Sequence, residues 1–257
     1  MATARENAIG LYLEGIRDGR PREAIARYTG DRYTQHSTGV EDGQAGFIAF
    51  FEPFLARNPK RDIRIVRALQ DGPKVFVHVY QDLNDGQARW VTADFFDSDA
   101  EGRIVEHWDV IAPVTPPNPS GWSQTDGPTE IVDRDQTEAN KALVADFVQT
   151  VLIERALDRA TDFIDPTHYA QHNAEVGDGL DAFLSFFGAP DCPLSYQACF
   201  MLVGEGNFVA TLNRARWKDQ DLCLVDLFRV ANGRIVEHWD NSEPVPPKAE
   251  WVNSGKF

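Results

Sequence analysis

Gly102-Arg-Ile-Val-Glu-His-Trp-Asp109 recurs letter for letter as Gly233-Arg-Ile-Val-Glu-His-Trp-Asp240, 131 residues further along the chain. An identity of eight residues inside one sequence directs the reading outward, toward further self-similarity. Upstream, Tyr33, Gln35, His36, Val40, Asp42, Gly43, Phe47, Phe50 and Phe51 match Tyr169, Gln171, His172, Val176, Asp178, Gly179, Phe183, Phe186 and Phe187, each at an offset of 136. Between these blocks, Asp94-Phe-Phe96 matches Asp226-Leu-Phe228. Three separated blocks in one order read as a tandem duplication. Five of the fifteen prolines fall between Pro113 and Pro128, a density that interrupts helices and strands. Pro244-Val-Pro-Pro247 repeats that character at the end of the second copy. The expected domains are therefore residues 1–128 and 129–257, each of ordinary domain size.

Each copy shows the same order of elements. Ile9, Tyr12, Leu13 and Ile16 form an amphipathic helical stripe, as do Leu143, Val144, Phe147, Val148 and Val151. Short second helices are expected near 21–28 and 156–163, and the phenylalanines after Asp42-Gly43 and Asp178-Gly179 mark a third, with each aspartate as its N-cap. Strand-like runs follow at 63–69, 75–80, 90–96 and 104–110, then at 194–202, 207–212, 222–230 and 235–240. Helices first and a four-stranded antiparallel meander afterwards predict an α+β fold, with the helices on one face of the sheet.

The 257 residues are 42% hydrophobic and 25% charged, as in a globular chain, and carry a formal net charge of −15. That balance opposes a phosphate-tracking surface, so no nucleic-acid partner is expected. No apolar run reaches the ~18–20 residues of a membrane span, and Met1–Arg20 has no signal-peptide core. Cys192, Cys199 and Cys223 lack metal-ligand spacing and read as reduced thiols. The expected setting is the cytoplasm, without a membrane partner.

Asp94 and Asp226 sit in largely apolar strands, where a carboxylate must find hydrogen bonds or take a raised pKa. Each reads either as a general acid/base or as a structural acid. His36 and His172, in Tyr-x-Gln-His before the third helix, suit proton transfer or else bridge a loop. In Glu-His-Trp-Asp, strand alternation puts His107 with Asp109, and His238 with Asp240, on one face. Glu106 and Trp108, and Glu237 and Trp239, take the other. Either face pairs an acid with an imidazole or an indole, and either a pocket or a contact between sheets accounts for the block. Matching Phe76-Val77 with Phe208-Val209 puts Ala210 at the place of His78, so a pocket that uses His78 is equipped only in the first copy. His168 and His172 have H-x-x-x-H spacing, but Pro166 opposes the helix such a zinc site needs, and no metal is expected. Nothing calls for a nucleotide or another cofactor.

Tyr-x-Gln-His, Asp-Gly, Phe-x-x-Phe-Phe, the Asp-Phe-Phe strand, Gly-Arg-Ile-Val-Glu-His-Trp-Asp and the tail Asn118-Pro-Ser-Gly-Trp122 together resemble the SnoaL-like family. Within it they are most similar to the predicted SnoaL-like aldol condensation-catalysing group, and Asn253-Ser-Gly-Lys-Phe257 resembles that tail again. The resemblance implies two tandem nuclear transport factor 2-like (cystatin-like cone) domains, pairing as an intramolecular pseudo-dimer or in a larger homo-oligomer. It implies a conical apolar pocket in each domain, holding a small apolar organic molecule. Tyr33, Phe51, His78 and Trp108, with Tyr169, Phe187 and Trp239, are the expected substrate-binding residues. It further implies a cofactor-independent aldol-type cyclase, isomerase or lyase acting on a carbonyl compound. The expected catalytic residues are His36, Asp94, His107 and Asp109 in one copy and His172, Asp226, His238 and Asp240 in the other. The rivals are a non-catalytic ligand-binding module and an epoxide hydrolase-like enzyme that adds water.

Overall fold

The structure is a computed structural model and describes residues 2–257. It divides into two compact units, residues 1–113 with 246–257 and residues 114–245. The sequence suggested one cut near residue 128. Instead the chain leaves the first unit at Pro113 and returns to it at Pro246, so the tail after the last strand of each copy packs with the other copy's elements.

In the first unit, α1 (Ala4–Gly10) starts from a reciprocal cap in which Thr3 Oγ1 accepts from the Glu6 amide and Glu6 accepts from the Thr3 amide. It runs directly into a π-helical stretch, Leu11–Arg17. After α2 (Pro21–Tyr28) come β1 (Thr29–Gln35), α3 (Gly43–Arg57), β2 (Arg61–Asp71), β3 (Lys74–Leu83), β4 (Ala88–Ser98) and β5 (Ile104–Pro113). The sheet order is β1-β5-β4-β3-β2, with only the β1–β5 pair parallel. The four-strand meander is present, and β1 adds a fifth, edge strand that apolar alternation does not reveal. Leu11, Ile16, Ile25, Phe47, Val75, Val77, Val79 and Phe96 form the core between helices and sheet.

The second unit repeats this plan. It has α4 (Thr137–Phe147) with a π-helical continuation at Val148–Ile153, α5 (Ala160–Phe163), β6 (Ala170–Gln171) and α6 (Leu180–Gly188). The strands β7 (Leu194–Glu205), β8 (Phe208–Trp217), β9 (Gln220–Ala231) and β10 (Arg234–Pro244) follow, in the sheet order β6-β10-β9-β8-β7. Here the edge strand shrinks to two residues plus a bridge from Ile164 to Ile235. Pro166 cannot donate to a ladder, and Asp165 Oδ1 instead accepts from the amides of Thr167 and His168. The α+β fold expected from the sequence is the fold observed. No helix among the described residues is long and apolar enough to cross a membrane.

The aspartates before the third helices do not cap them. Asp42 Oδ1 accepts from the Gln35 amide at 2.7 Å, and Asp178 Oδ1 from the Gln171 amide at 2.9 Å. The glycine that follows each takes positive φ, +82° at Gly43 and +94° at Gly179, which lets the chain reverse from the edge strand into the helix. Asp-Gly is thus a strand-to-helix clasp that fixes Gln35 and Gln171.

Candidate active site

Alternation along β5 sends His107 and Asp109 into the first unit, where they meet Asp94 from β4, directly across the strand pair. A cavity of about 270 Å³ opens there. Its walls are largely aromatic, including Tyr12, Tyr33, Phe47, Phe51, Trp90 and Phe96, and its polar groups are Gln35, Ser37, Gln81, Asp94, His107 and Asp109. Tyr12 reaches it from the π-helical stretch, a form often found at functional sites.

Asp94 is 1% exposed. Its Oδ1 accepts from the Tyr12 hydroxyl at 2.7 Å and lies 2.9 Å from His107 Nε2. Its Oδ2 is buried without a hydrogen-bond partner. On the far side of the imidazole, Nδ1 is 2.8 Å from Gln35 Oε1, which also accepts from the amides of His36 and Ser37. Two backbone donors identify that atom as the amide oxygen, so His107 Nδ1 must carry hydrogen. Nε2 therefore faces Asp94, and the two groups share one proton. Burial pushes the Asp94 carboxyl above the usual carboxylate range, with the nearby Asp109 charge adding to it and the His107 and Tyr12 bonds opposing it.

Asp109 goes the other way. Burial would raise it, but the charge of Lys256, whose Nζ lies 2.9 Å from Asp109 Oδ1, reverses that with help from His107 and Ser37 and holds the carboxyl below its ordinary value. Lys256 is itself 1% exposed.

The second unit carries the same triad. His238 Nδ1 meets Gln171 Oε1 at 2.9 Å, His238 Nε2 meets Asp226 Oδ1 at 2.8 Å, and Asp240 stands across the strand pair from Asp226. Here Tyr196 donates to Asp226 Oδ1 at 2.9 Å and Asn213 donates to Oδ2 at 2.8 Å. The cavity beside them is about 20 Å³. Burial raises the Asp240 carboxyl, with Asp226 adding to it and His238 and Asn173 opposing it. Oxygen and nitrogen atoms of Asp226, His238 and Asp240 lie within 4.8 Å of one another, a spacing open to a metal ion. Two of those residues, Asp226 and His238, already bond each other, so a cation would have to displace that bond.

Of the residues expected from the sequence, Asp94, His107, Asp109, Tyr33 and Phe51 line the first cavity, and Tyr169, Phe187, His238 and Asp240 line the small second one beside Asp226. The other expectations are corrected. His36 and His172 do not reach either cavity. Each ring stacks on the tryptophan of the repeated block, Trp108 at 4.5 Å and Trp239 at 4.6 Å, and Nε2 bonds that block's glutamate, Glu106 or Glu237. Nδ1 bonds a tail carbonyl, Gly255 O for His36 and Ser123 O for His172. Trp108 and Trp239 line neither of these two cavities. Glu-His-Trp-Asp serves both faces of its strand: Glu and Trp clamp the tail-binding histidine, and His and Asp face the site. His78 also points away from the cavity, against Arg67 at 3.3 Å. Strand register places Leu212 rather than Ala210 at its counterpart, so the second copy still lacks this histidine. His168 is exposed while His172 is buried, so the H-x-x-x-H pair does not converge.

Sequence reasoning passed over Tyr12, Gln35, Gln171, Tyr196, Asn213 and Lys256. Tyr12 was visible as the one hydroxyl in an apolar stripe, and the glutamines stood inside the repeated Tyr-x-Gln-His. Lys256 leaves no local signal.

Residues 10–107 match the family model of the SnoaL-like domain. No curated protein matches the chain. Among solved structures, a candidate polyketide cyclase from Bacillus cereus is 18% identical over 42% of this chain and 73% of its own, with a TM-score of 0.38. A candidate ketosteroid isomerase from Kribbella flavida is 21% identical over 44% and 87%, with a TM-score of 0.37. An uncharacterised cystatin-fold protein from Novosphingobium aromaticivorans is 15% identical over 43% and 99%, also at 0.37.

Proposed function

We propose that the first unit, whose residues 10–107 match the SnoaL-like domain model, is a cofactor-independent acid/base enzyme acting on a small apolar carbonyl compound. The observation that carries the reading is a buried carboxylate in the lining of an apolar cavity, Asp94, whose Oδ2 has no hydrogen-bond partner. A carboxylate raised by burial is a better base toward a carbon acid than an exposed one. Asp94 Oδ2 takes the proton from the carbon next to the carbonyl, breaking the C–H bond and leaving its electron pair as an enolate. Tyr12 and His107 hold Oδ1 meanwhile, and Gln35 keeps the imidazole oriented. The Gln81 side-chain amide, at the cavity wall, is a neutral donor available to the enolate oxygen. The enolate carbon then either regains the proton at another position, as in an isomerase, or attacks a second carbonyl carbon, whose new alkoxide takes the proton back from Asp94. The water-adding alternative lacks an arginine among the cavity-lining residues.

The test is deuterium incorporation next to the carbonyl of small aryl and alkyl ketones in deuterated water, followed by NMR. At least one compound should exchange faster than in buffer, and Asp94→Asn should lower that rate by about 10²–10⁴-fold. Compounds that bind without exchanging would replace this reading with a ligand-binding module.

A further inference from the structure

Residues 118–123 and 253–255 dock in the same way on the two units. Asn118 Nδ2 donates to the carbonyls of Gln171 and Val176, and Asn253 Nδ2 to those of Ser37 and Val40. His172 and His36 then hold a carbonyl of the docked segment. The segments differ in what they deliver. In the first unit the next residue, Lys256, is buried with its ammonium on Asp109. In the second unit the bond to Asp240 comes from Asn173, a neutral amide.

We infer that Lys256 is a positioning residue of the active site, whose charge lets Asp94, His107 and Asp109 hold one proton between them rather than two, leaving Asp94 a carboxylate. Asp94 and Asp109 face each other across β4 and β5. Two facing buried carboxylates ionise together only with compensating cations. The groups that act on Asp109 are His107 on its own strand, Asp94 on β4, Ser37 after β1, Tyr12 and Tyr33 from the helix and edge strand, and Lys256 from the docked segment. Only His107 and Lys256 among these can be cationic, and His107 already shares its proton with Asp94. Without the lysine, one more proton enters the cluster, as burial favours at Asp240 in the second unit. The inference rests on the acid/base reading of the first unit, but its first measurement does not.

That measurement is the pH titration of the Asp109 side-chain carboxyl by carbon-13 NMR in the full chain. Lys256→Met should move the midpoint upward by one pH unit or more, a tenfold or larger rise in proton affinity. An unchanged midpoint overturns the inference whether or not any ketone exchanges. The second measurement uses a ketone that does exchange. Lys256→Met should shift the acidic limb of the rate profile to higher pH while keeping the plateau, and adding Asp109→Asn should bring the limb back. A uniform loss at every pH, with no shift, would make the lysine a structural anchor only. If Lys256→Met does not fold, Lys256→Gln is read in the same way. If neither folds but the pair Asp109→Asn, Lys256→Met does, charge pairing is supported. Loss of folding in all three overturns it.

Discussion

Asp94 keeps one oxygen unpartnered beside a cavity of about 270 Å³, whereas Asp226 has both oxygens bonded beside a space of about 20 Å³. The two aspartates share their histidine, their glutamine and their cross-strand aspartate, so the difference lies in the neighbours. Counted from the hairpins through strand pairing, Val79 in the first unit corresponds to Asn213 in the second, and Ile63 to Tyr196. At the offset of 136, Leu11 corresponds to Phe147. Three changes thus satisfy the acid and fill the space. The repeated motif preserves a scaffold for a buried acid, and the surrounding residues decide whether that acid faces a ligand or only its own fold. An unmade bond on a buried carboxylate is costly and points to use, whereas in the second unit the acid is satisfied and the unpartnered atom beside it is the neutral Asn213 amide oxygen.

The largest expected effect comes from importing the second unit's solution into the first. Val79→Asn should place an amide donor on Asp94 Oδ2, as Asn213 does on Asp226. A bond to the charged form lowers a carboxyl's proton affinity, and it also occupies the atom proposed as base. Ketone exchange should fall by about 10²-fold or more, toward the Asp94→Asn level. Nuclear magnetic resonance titration should show the Asp94 midpoint moving down. Exchange at the original rate would mean that Oδ2 is not the reacting atom.

Much of this comparison was legible from the repeat. Apolar periodicity located the helices and eight of the long strands, and alternation through Glu-His-Trp-Asp correctly separated its two faces. Asp94 and Asp226 stood out because a carboxylate amid Trp, Phe and Leu has to be explained. The edge strand β1 was not legible, because Thr29-Gly-Asp-Arg32 has no alternation and gains its strand character from parallel pairing with β5. For a related reason it was not legible which role, proton transfer or loop bridge, falls to His36 and His172; the structure makes them bridges. The atoms that occupy them lie on distant parts of the chain, Gly255 for one and Ser123 for the other. Asp42 and Asp178 fit an N-cap pattern, and what decides against it is a competing backbone amide seven residues back. Long-range hydrogen bonds leave no trace in a local window.

Filling the cavity tests whether its volume matters apart from its acid. Leu11→Phe copies Phe147 into the first unit and puts a ring into existing space. Cavity filling commonly stabilises by about 0.5–2 kcal/mol, so the midpoint of thermal unfolding should rise or hold. Affinity for any ketone that exchanges should drop at least tenfold, measured by NMR or calorimetry. Loss of stability together with retained binding would place the ligand elsewhere.

The smallest effect is a dependence of the second unit's stability on pH. Burial lowers the proton affinity of His238, but the bond to Asp226 and the charges of Asp226 and Asp240 more than offset it, so its pKa is raised. The folded form then binds this proton more tightly than the unfolded chain, whose histidine titrates near about 6.5. The resulting stabilisation is complete below that pH and drains away as pH climbs from there through the folded value. One proton limits the slope to about 1.4 kcal/mol per pH unit. Amide hydrogen exchange in β9 and β10 reads this unit separately, and its protection, corrected for intrinsic rates, should decline across that window. His238→Gln keeps a side chain of polar character but cannot take up the proton, so it should flatten the decline. A slope that persists in the variant would assign the proton to another group and leave the Asp226–His238 pair as a neutral hydrogen bond.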